Sequence, residues 1–257
     1  MRNKVYNIDS KASISITKNI RSLLTKAPVD MEKLEQDVTE ILVKYPTLQV
    51  LDLNWWNYSN NRPNNLGKYA PLIAKTIVKQ LPNLEELDLS RNDLMEHGPA
   101  TMAEIAKLSN LKVLHFSDHR LGEYTAATMA EIAKLPNLQI LYLSGNRGRD
   151  KEYGSAAAQA LAKAPSLKKL SLFDNELGRY TIRVAEILAK SPTLQYLDLG
   201  CNNLGDEYTP AVIDALTEES CNLVELTLCR DDIKICLQKI EDIKDRIPTL
   251  QIRLYCN

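Results

Sequence analysis

The sequence predicts an α/β fold: a solenoid in which strand–turn–helix units stack and share one continuous core. Three observations point there. The nonapeptide ATMAEIAKL occupies 100–108 and recurs unchanged at 127–135, 27 residues later, and identity at such a period marks a repeat architecture. The pattern L-x-x-L-x-L recurs in segments starting at Pro46, Pro82, Ser109, Pro136, Pro165, Pro192 and Cys221. Within each unit the hydrophobic period then lengthens from two residues to three or four, the change from strand to helix.

Residues 1–45 stand outside the pattern and contain the amphipathic stretch VDMEKLEQDVTEILVKY. They are expected to form an N-terminal helical cap, because an open stack needs a polar outer face at its end. Residues 46–257 are then the solenoid, seven repeats plus a partial terminal strand. The units measure 36, 27, 27, 29, 27, 29 and 27 residues, and a broken copy, PTLQIRLYCN, follows. The first unit is longer than its neighbours around NYSNNRPNN at 57–65, an expected loop at the rim beside Trp55 and Trp56.

In each unit the two Leu of L-x-L point one way from a short strand. In AATMAEIAKL, Met129, Ile132 and Leu135 form a helical stripe that can face them. Neither element buries its apolar side alone, and stacking the copies does it for both. An Asn follows the strand in four copies (Asn92, Asn146, Asn175, Asn202). Its amide is expected to satisfy backbone groups that the sheet has released. Trp56, His119 and Asp231 replace this Asn and Gly148 replaces the Leu after it, so distorted turns are expected there. A Tyr column (Tyr69, Tyr124, Tyr153, Tyr180, Tyr208) recurs where the helices start, with His97 in the same place. Its repetition indicates a structural, stacking role.

With PNLEELDLSRNDL from Pro82, PTLQYLDLGCNNL from Pro192 and LGDEYTPAVIDAL at 204–216, the chain resembles leucine-rich-repeat proteins of the ribonuclease-inhibitor type. The resemblance covers roughly 46–257. It implies a right-handed β-α horseshoe with parallel strands on the concave face and helices on the convex face. Eight strands about 4.8 Å apart would make a wall roughly 34 Å wide, suited to a protein partner and too open for a small-molecule pocket.

On that reading, the residues flanking the inward Leu line the concave face. They include Trp55, Glu86, Asp88, Arg91, Val113, His115, Asp118, Ile140, Tyr142, Lys169, Phe173, Asp174, Tyr196, Asp198 and Arg230, which are the expected partner-binding residues. The flanking set carries seven acids against three bases, a local charge of −4, although the whole chain is −1. Its middle is aromatic and apolar, and aromatic residues are enriched at binding hot spots.

Other chemistry is poorly supported. The near-balance of 32 Lys+Arg and 33 Asp+Glu offers no field for phosphates, so nucleic acid is not an expected partner. No run approaches the roughly 18 apolar residues of a membrane span, and no membrane partner is expected. Five cysteines, an odd number without CxxC spacing, read as thiols in a reducing cytosol. Neither a metal nor a cofactor is expected. Asp88, His115 and Ser144 fall on adjacent strands, but no oxyanion donor accompanies them, and no catalytic residue is assigned.

The expectation is a cytoplasmic, non-catalytic scaffold, monomeric when free, whose partner is another protein with a basic or mixed patch. The resemblance implies a sharper form, a regulator that covers an enzyme's active site. It also implies likeness to effectors that intracellular bacterial pathogens deliver into the host cytosol. An alternative is a GTPase activator using Arg91 or Arg230 at the rim, and a third is a fragment of a larger sensor.

Overall fold

The computed structural model describes residues 9–24, 29–54, 66–146, 153–217, 221–229 and 249–255. Two helices come first, α1 (Asp9–Leu24) and α2 (Met31–Leu42). Strand and helix then alternate: β1 (Val50–Asp52), α3 (Ala70–Gln80), β2 (Glu86–Asp88), α4 (Gly98–Ile105), β3 (Val113–His115) and α5 (Thr125–Ile132). The series continues through β4 (Ile140–Tyr142), α6 (Tyr153–Leu161), β5 (Lys169–Ser171), α7 (Tyr180–Leu188), β6 (Tyr196–Asp198) and α8 (Gly205–Leu216), and ends with β7 (Glu225–Cys229) and β8 (Gln251–Tyr255). All eight strands lie in one parallel sheet in chain order, so the α/β repeat fold is as expected, with the broken last copy supplying β8.

Pairing is in phase from end to end. Leu51, Leu87, Leu114, Leu141, Leu170, Leu197, Leu226 and Ile252 occupy one register row. The seven Leu are buried beneath a second layer in which each helix packs on the next, from α2 to α8. The extra residues of the longer copies therefore lie outside the strands. At the β1 edge, α1 supplies what a preceding strand would. Ser13 Oγ accepts from the Asp52 N–H at 2.8 Å, Thr17 donates to the Asp52 carbonyl and Arg21 to that of Asn54, while Ile16 and Ile20 are buried.

The Asn column forms the expected ladder. Asn92 Nδ2 donates to the carbonyls of Leu89 (2.6 Å) in its own copy and Leu53 (3.0 Å) in the copy before, and its Oδ1 accepts from Leu66 N–H at 3.2 Å. Asn146 and Asn202 likewise bridge two copies, and Asn175 Oδ1 accepts from Asn146 N–H at 3.0 Å. Around this ladder the backbone is left-handed at alternate residues. The sequence pattern does not announce this. Arg91, Asp93 and Met95 have φ of 64°, 46° and 45°, and Asp174, Glu176 and Gly178 have 57°, 55° and 52°.

His119 interrupts the ladder without distorting its turn, since Asp118 and Arg120 keep φ of 60° and 54°. The expected distortion is thus absent at this copy; Trp56, Gly148 and Asp231 lie outside the described residues. The His119 ring is fully buried and packs 4.0 Å from the ring of Phe116, which itself stands where other copies have Leu. Neither ring nitrogen has a hydrogen-bond partner. The Leu that follows the ladder is buried at Leu94, Leu121 and Leu204, whereas the fourth copy has Gly148. An apolar cavity of about 70 Å³ lies between the third and fifth copies, lined by Leu121, Met129, Leu143, Ala157 and Leu177 among others.

Of the Tyr column, Tyr69 and Tyr208 rest against the core, and Tyr124 is exposed. The Tyr153 side chain lies outside the described residues.

Two predictions follow from these backbone and burial features. Desolvation pulls the His119 pKa down to about 3, so the folded state takes up its proton far less readily than the unfolded chain. Its contribution to stability is complete above about pH 6.5 and is lost progressively towards pH 3. Wild type should lose about 2 kcal/mol to this group between pH 7.5 and pH 5. His119→Asn, which restores the ladder amide, should lose correspondingly less in urea melts at the two pH values. Met95, at φ 45°, stands in a column that among the described residues is otherwise held by Gly67, Gly122, Gly178 and Gly205, all with positive φ. Replacing Met95 by Gly should raise stability by about 0.5–1 kcal/mol, because relief of the left-handed strain exceeds the entropy that Gly adds to the unfolded chain. The urea midpoint reads this directly.

Candidate functional site

The sheet face opposite the helices presents register rows two residues apart along each strand. One row runs Glu86, Val113, Ile140, Lys169, Tyr196 and Glu225; the next runs Asp88, His115, Tyr142, Ser171, Asp198 and Thr227. Past the strands the ladder continues, with Arg91 N–H donating to the Ser117 carbonyl (2.8 Å), Asp118 to Ser144 (2.9 Å) and Asp174 to Gly200 (2.9 Å). The described side chains expected to contact a partner therefore share one face. Trp55 and Arg230 lie outside the described residues.

Three of the face's aspartates close their own turns. Asp52, Asp88 and Asp198 accept from the N–H two residues on, in Asn54 (2.8 Å), Ser90 (2.8 Å) and Gly200 (3.0 Å). Asp198 also accepts from Ser171 Oγ at 3.0 Å, and Asp88 from Asn54 Nδ2 at 3.3 Å. Burial holds the Asp52 and Asp198 carboxyls above the usual carboxylate range, against the pull of these bonds. Their recurrence at the last strand position serves the backbone first.

Much of the remaining acidity is matched locally. Glu86 Oε1 lies 3.2 Å from His115 Nε2, and Arg91 Nε is 3.1 Å from Asp118. Asp118 in turn covers Gly145, where a Cβ would meet its Oδ1 at 2.0 Å. Arg253 on β8, outside the seven-copy sequence count, pairs with Glu225 at 2.9 Å. Among the described residues the face, Arg253 included, carries seven acids against three bases, and several of these charges are arranged as short cross-strand pairs.

Between these pairs lies the aromatic strip. The rings of His115 and Tyr142 stack with centroids 4.6 Å apart and planes 17° from parallel. Lys169 Nζ sits 5.7 Å from the centre of the same Tyr142 ring, within cation–π range. Phe173 lies across the next copy, so close that a Cβ on Gly200 would meet its Cδ2 at 3.0 Å. Tyr196 is the outermost of the four, 36% exposed. His115 is turned towards Glu86, and Ser144 Oγ lies 3.5 Å from Ser171 Oγ, so the imagined Asp88–His115–Ser144 relay does not form. Among the described residues no cluster of three metal-ligating side chains occurs, and no helix is long and apolar enough to cross a membrane.

Cys201 and Cys229 come together at the far end of this face, their sulfurs 2.9 Å apart. The repeat alignment contains the signal for this, since the two occupy neighbouring columns in consecutive copies, but CxxC spacing does not find it.

The turn-closing role of Asp198 predicts unequal outcomes for two substitutions. Asp198→Ala removes the acceptor for Gly200 N–H and should cost about 1 kcal/mol. Asp198→Asn keeps an acceptor oxygen without the buried charge and should leave stability at pH 7 unchanged or slightly raised. Urea denaturation of both variants decides it.

Leucine-rich-repeat family models match two stretches, residues 83–104 and 190–207. Among solved structures, the leucine-rich repeat-containing protein LegL7 from Legionella pneumophila aligns with a TM-score of 0.61 at 16% identity, covering 98% of this chain and 82% of that one. Internalin C2 from Listeria monocytogenes aligns at 20% identity over 83% of this chain and 92% of that one, with a TM-score of 0.41. No curated protein matches the sequence. Matched repeats in two stretches, an in-phase parallel sheet backed by helices, and the Asn ladder that joins its copies give this chain a leucine-rich-repeat fold.

Proposed function

We propose that this chain is a non-catalytic scaffold that binds a protein partner across the open face of its sheet, centred on His115, Tyr142, Phe173 and Tyr196. The leucine-rich-repeat fold is generally one of protein-interaction scaffolds, and the proposal adds the place and the chemistry. The observation that carries it is the aromatic strip, which crosses four adjacent strands on the sheet face that, among the described residues, lies opposite the repeat helices. A half-buried row of rings flanked by ion pairs matches the anchor-and-rim arrangement of protein interfaces. In the same proposal, Glu86 beside His115 and Lys169 over Tyr142 supply charges of opposite sign along the strip, so the partner patch is mixed or basic and the association rate is salt-sensitive. Trp55, Arg91, Asp174 and Arg230 belong to its rim, and residues 1–45 form the cap that closes the β1 end.

The finer reading is a regulator that covers the active site of an enzyme, in the manner of an effector acting in a host cytosol. Arg91 is engaged with Asp118, and Arg230, the other rim arginine of the GTPase-activating alternative, lies outside the described residues.

The test compares wild type with Tyr142→Ala/Phe173→Ala/Tyr196→Ala, its folding checked by circular dichroism, in capture from cognate lysate and then with the purified partner. Loss of two or more anchors should weaken binding at least about 30-fold. Equal retention by both proteins would move the interface off this face. Assay of the captured partner with and without the chain then separates inhibition from simple docking.

A further inference from the structure

We propose that Cys201 and Cys229 form a reversible dithiol–disulfide pair, a modification site whose co-substrate is a low-molecular-weight disulfide. Their approach comes from the register of the sheet. Asp198 pairs with Thr227, so Gly200 falls opposite Cys229, and Cys201 follows in the left-handed turn at φ 56°. The same two columns meet at the four preceding junctions that the described residues show. There Arg91 faces Ser117, Asp118 faces Ser144, Gly145 faces Phe173 and Asp174 faces Gly200, each joined by a backbone N–H to carbonyl bond. At the next junction both positions are cysteine. The backbone N–H of Cys201 donates to Cys229 Sγ at 2.8 Å, and the sulfurs stand 2.9 Å apart, against about 2.05 Å for the bond itself. Closure thus needs a small rotation of side chains already held face to face, with no movement of one strand along the other.

Exposure sets the order of events. Cys201 is half-buried and reachable, whereas Cys229 is 5% exposed. The Cys201 sulfur, as thiolate, attacks one sulfur of the co-substrate, breaks its S–S bond and expels one thiolate, leaving a mixed disulfide on Cys201. The Cys229 sulfur then attacks the Cys201 sulfur of that adduct and expels the second thiolate. The two protein thiol protons end on the two released thiols. Two electrons pass from the cysteines to the co-substrate, which leaves fully reduced. The product ties β6 and β7 together at the end of the open face, and excess thiol reverses it.

The experiment uses the full chain equilibrated in graded mixtures of oxidised and reduced glutathione, then blocked with an alkylating agent and mapped by mass spectrometry without reduction. The expected result is a species lighter by two hydrogens, with one linked peptide pair joining Cys201 to Cys229. Cys221→Ser/Cys236→Ser/Cys256→Ser should form the same link, and Cys229→Ser should instead hold glutathione on Cys201. Oxidation should also raise the urea midpoint of the wild type, and reductant should restore it. A link between other cysteines, a wild-type Cys201 that accumulates the glutathione adduct without resolving it, or both thiols alkylated at every ratio would each overturn the proposal. Because the wild-type map alone decides between these outcomes, a misfolded variant leaves the test intact.

Discussion

In-phase parallel pairing of very short strands is the constraint on which the rest of this molecule depends. A three-residue strand offers few ladder bonds, and the chain must leave the sheet at once without stranding the groups it releases. The Asn amides meet that need by bonding in two copies at the same time, so each one fixes its own turn and the offset to its neighbour. The alternating left-handed residues follow from the same demand. They turn the backbone sharply enough to hold the amide against the carbonyls, and they recur at Arg91, Asp118, Asp174 and Cys201 whatever side chain is present. Once register is fixed, every residue of the open face has an assigned row.

This explains which features could be read from the chain alone. The Leu rows, the Asn column and the helical stripes are periodic, and periodicity survives in a sequence. The ionic arrangement does not. Asp88 and Asp198 looked like surface charge, yet their position two residues before Ser90 and Gly200 makes them turn acceptors, a local role that a count of charges hides. Arg253 sits in the broken last copy, where no clean repeat flagged it as part of the face. His119 was correctly placed in the Asn column, but the compensation by Phe116 needed coordinates, because it depends on two rings three residues apart packing together. The Cys201–Cys229 approach was written in neighbouring columns of neighbouring copies and was obscured by reading cysteines along the chain instead of across the stack.

The same geometry decides how such a surface can bind. Each strand gives the open face only two or three side chains, and several of these are already committed: aspartates to turns, Arg91 to Asp118, Glu225 to Arg253. Their hydrogen bonds have little left to offer a partner without being broken first. Rings escape this conflict. His115 and Tyr142 can stack on each other and still present polar edges, and Tyr196 stands 36% exposed on β6. Aromatic residues at the centre with paired charges around them are therefore what this sheet can contribute to recognition without dismantling itself.

The aromatic strip and the thiol pair meet at one turn. Phe173 rests over Gly200, which leaves it no room for a side chain beneath, and Cys201 is the next residue, in a left-handed conformation with its N–H on the Cys229 sulfur. The floor under one binding ring is thus continuous with the backbone that carries one of the two sulfurs. Rows at the β2–β4 end have no such connection, since His115 and Tyr142 lean on each other. Binding contributions from Phe173 and Tyr196 can be compared with those from His115 and Tyr142 only when the thiol state of the last two copies is held constant. A difference between the two halves of the strip that vanishes in Cys201→Ser would locate its origin in that turn and not in the rings themselves.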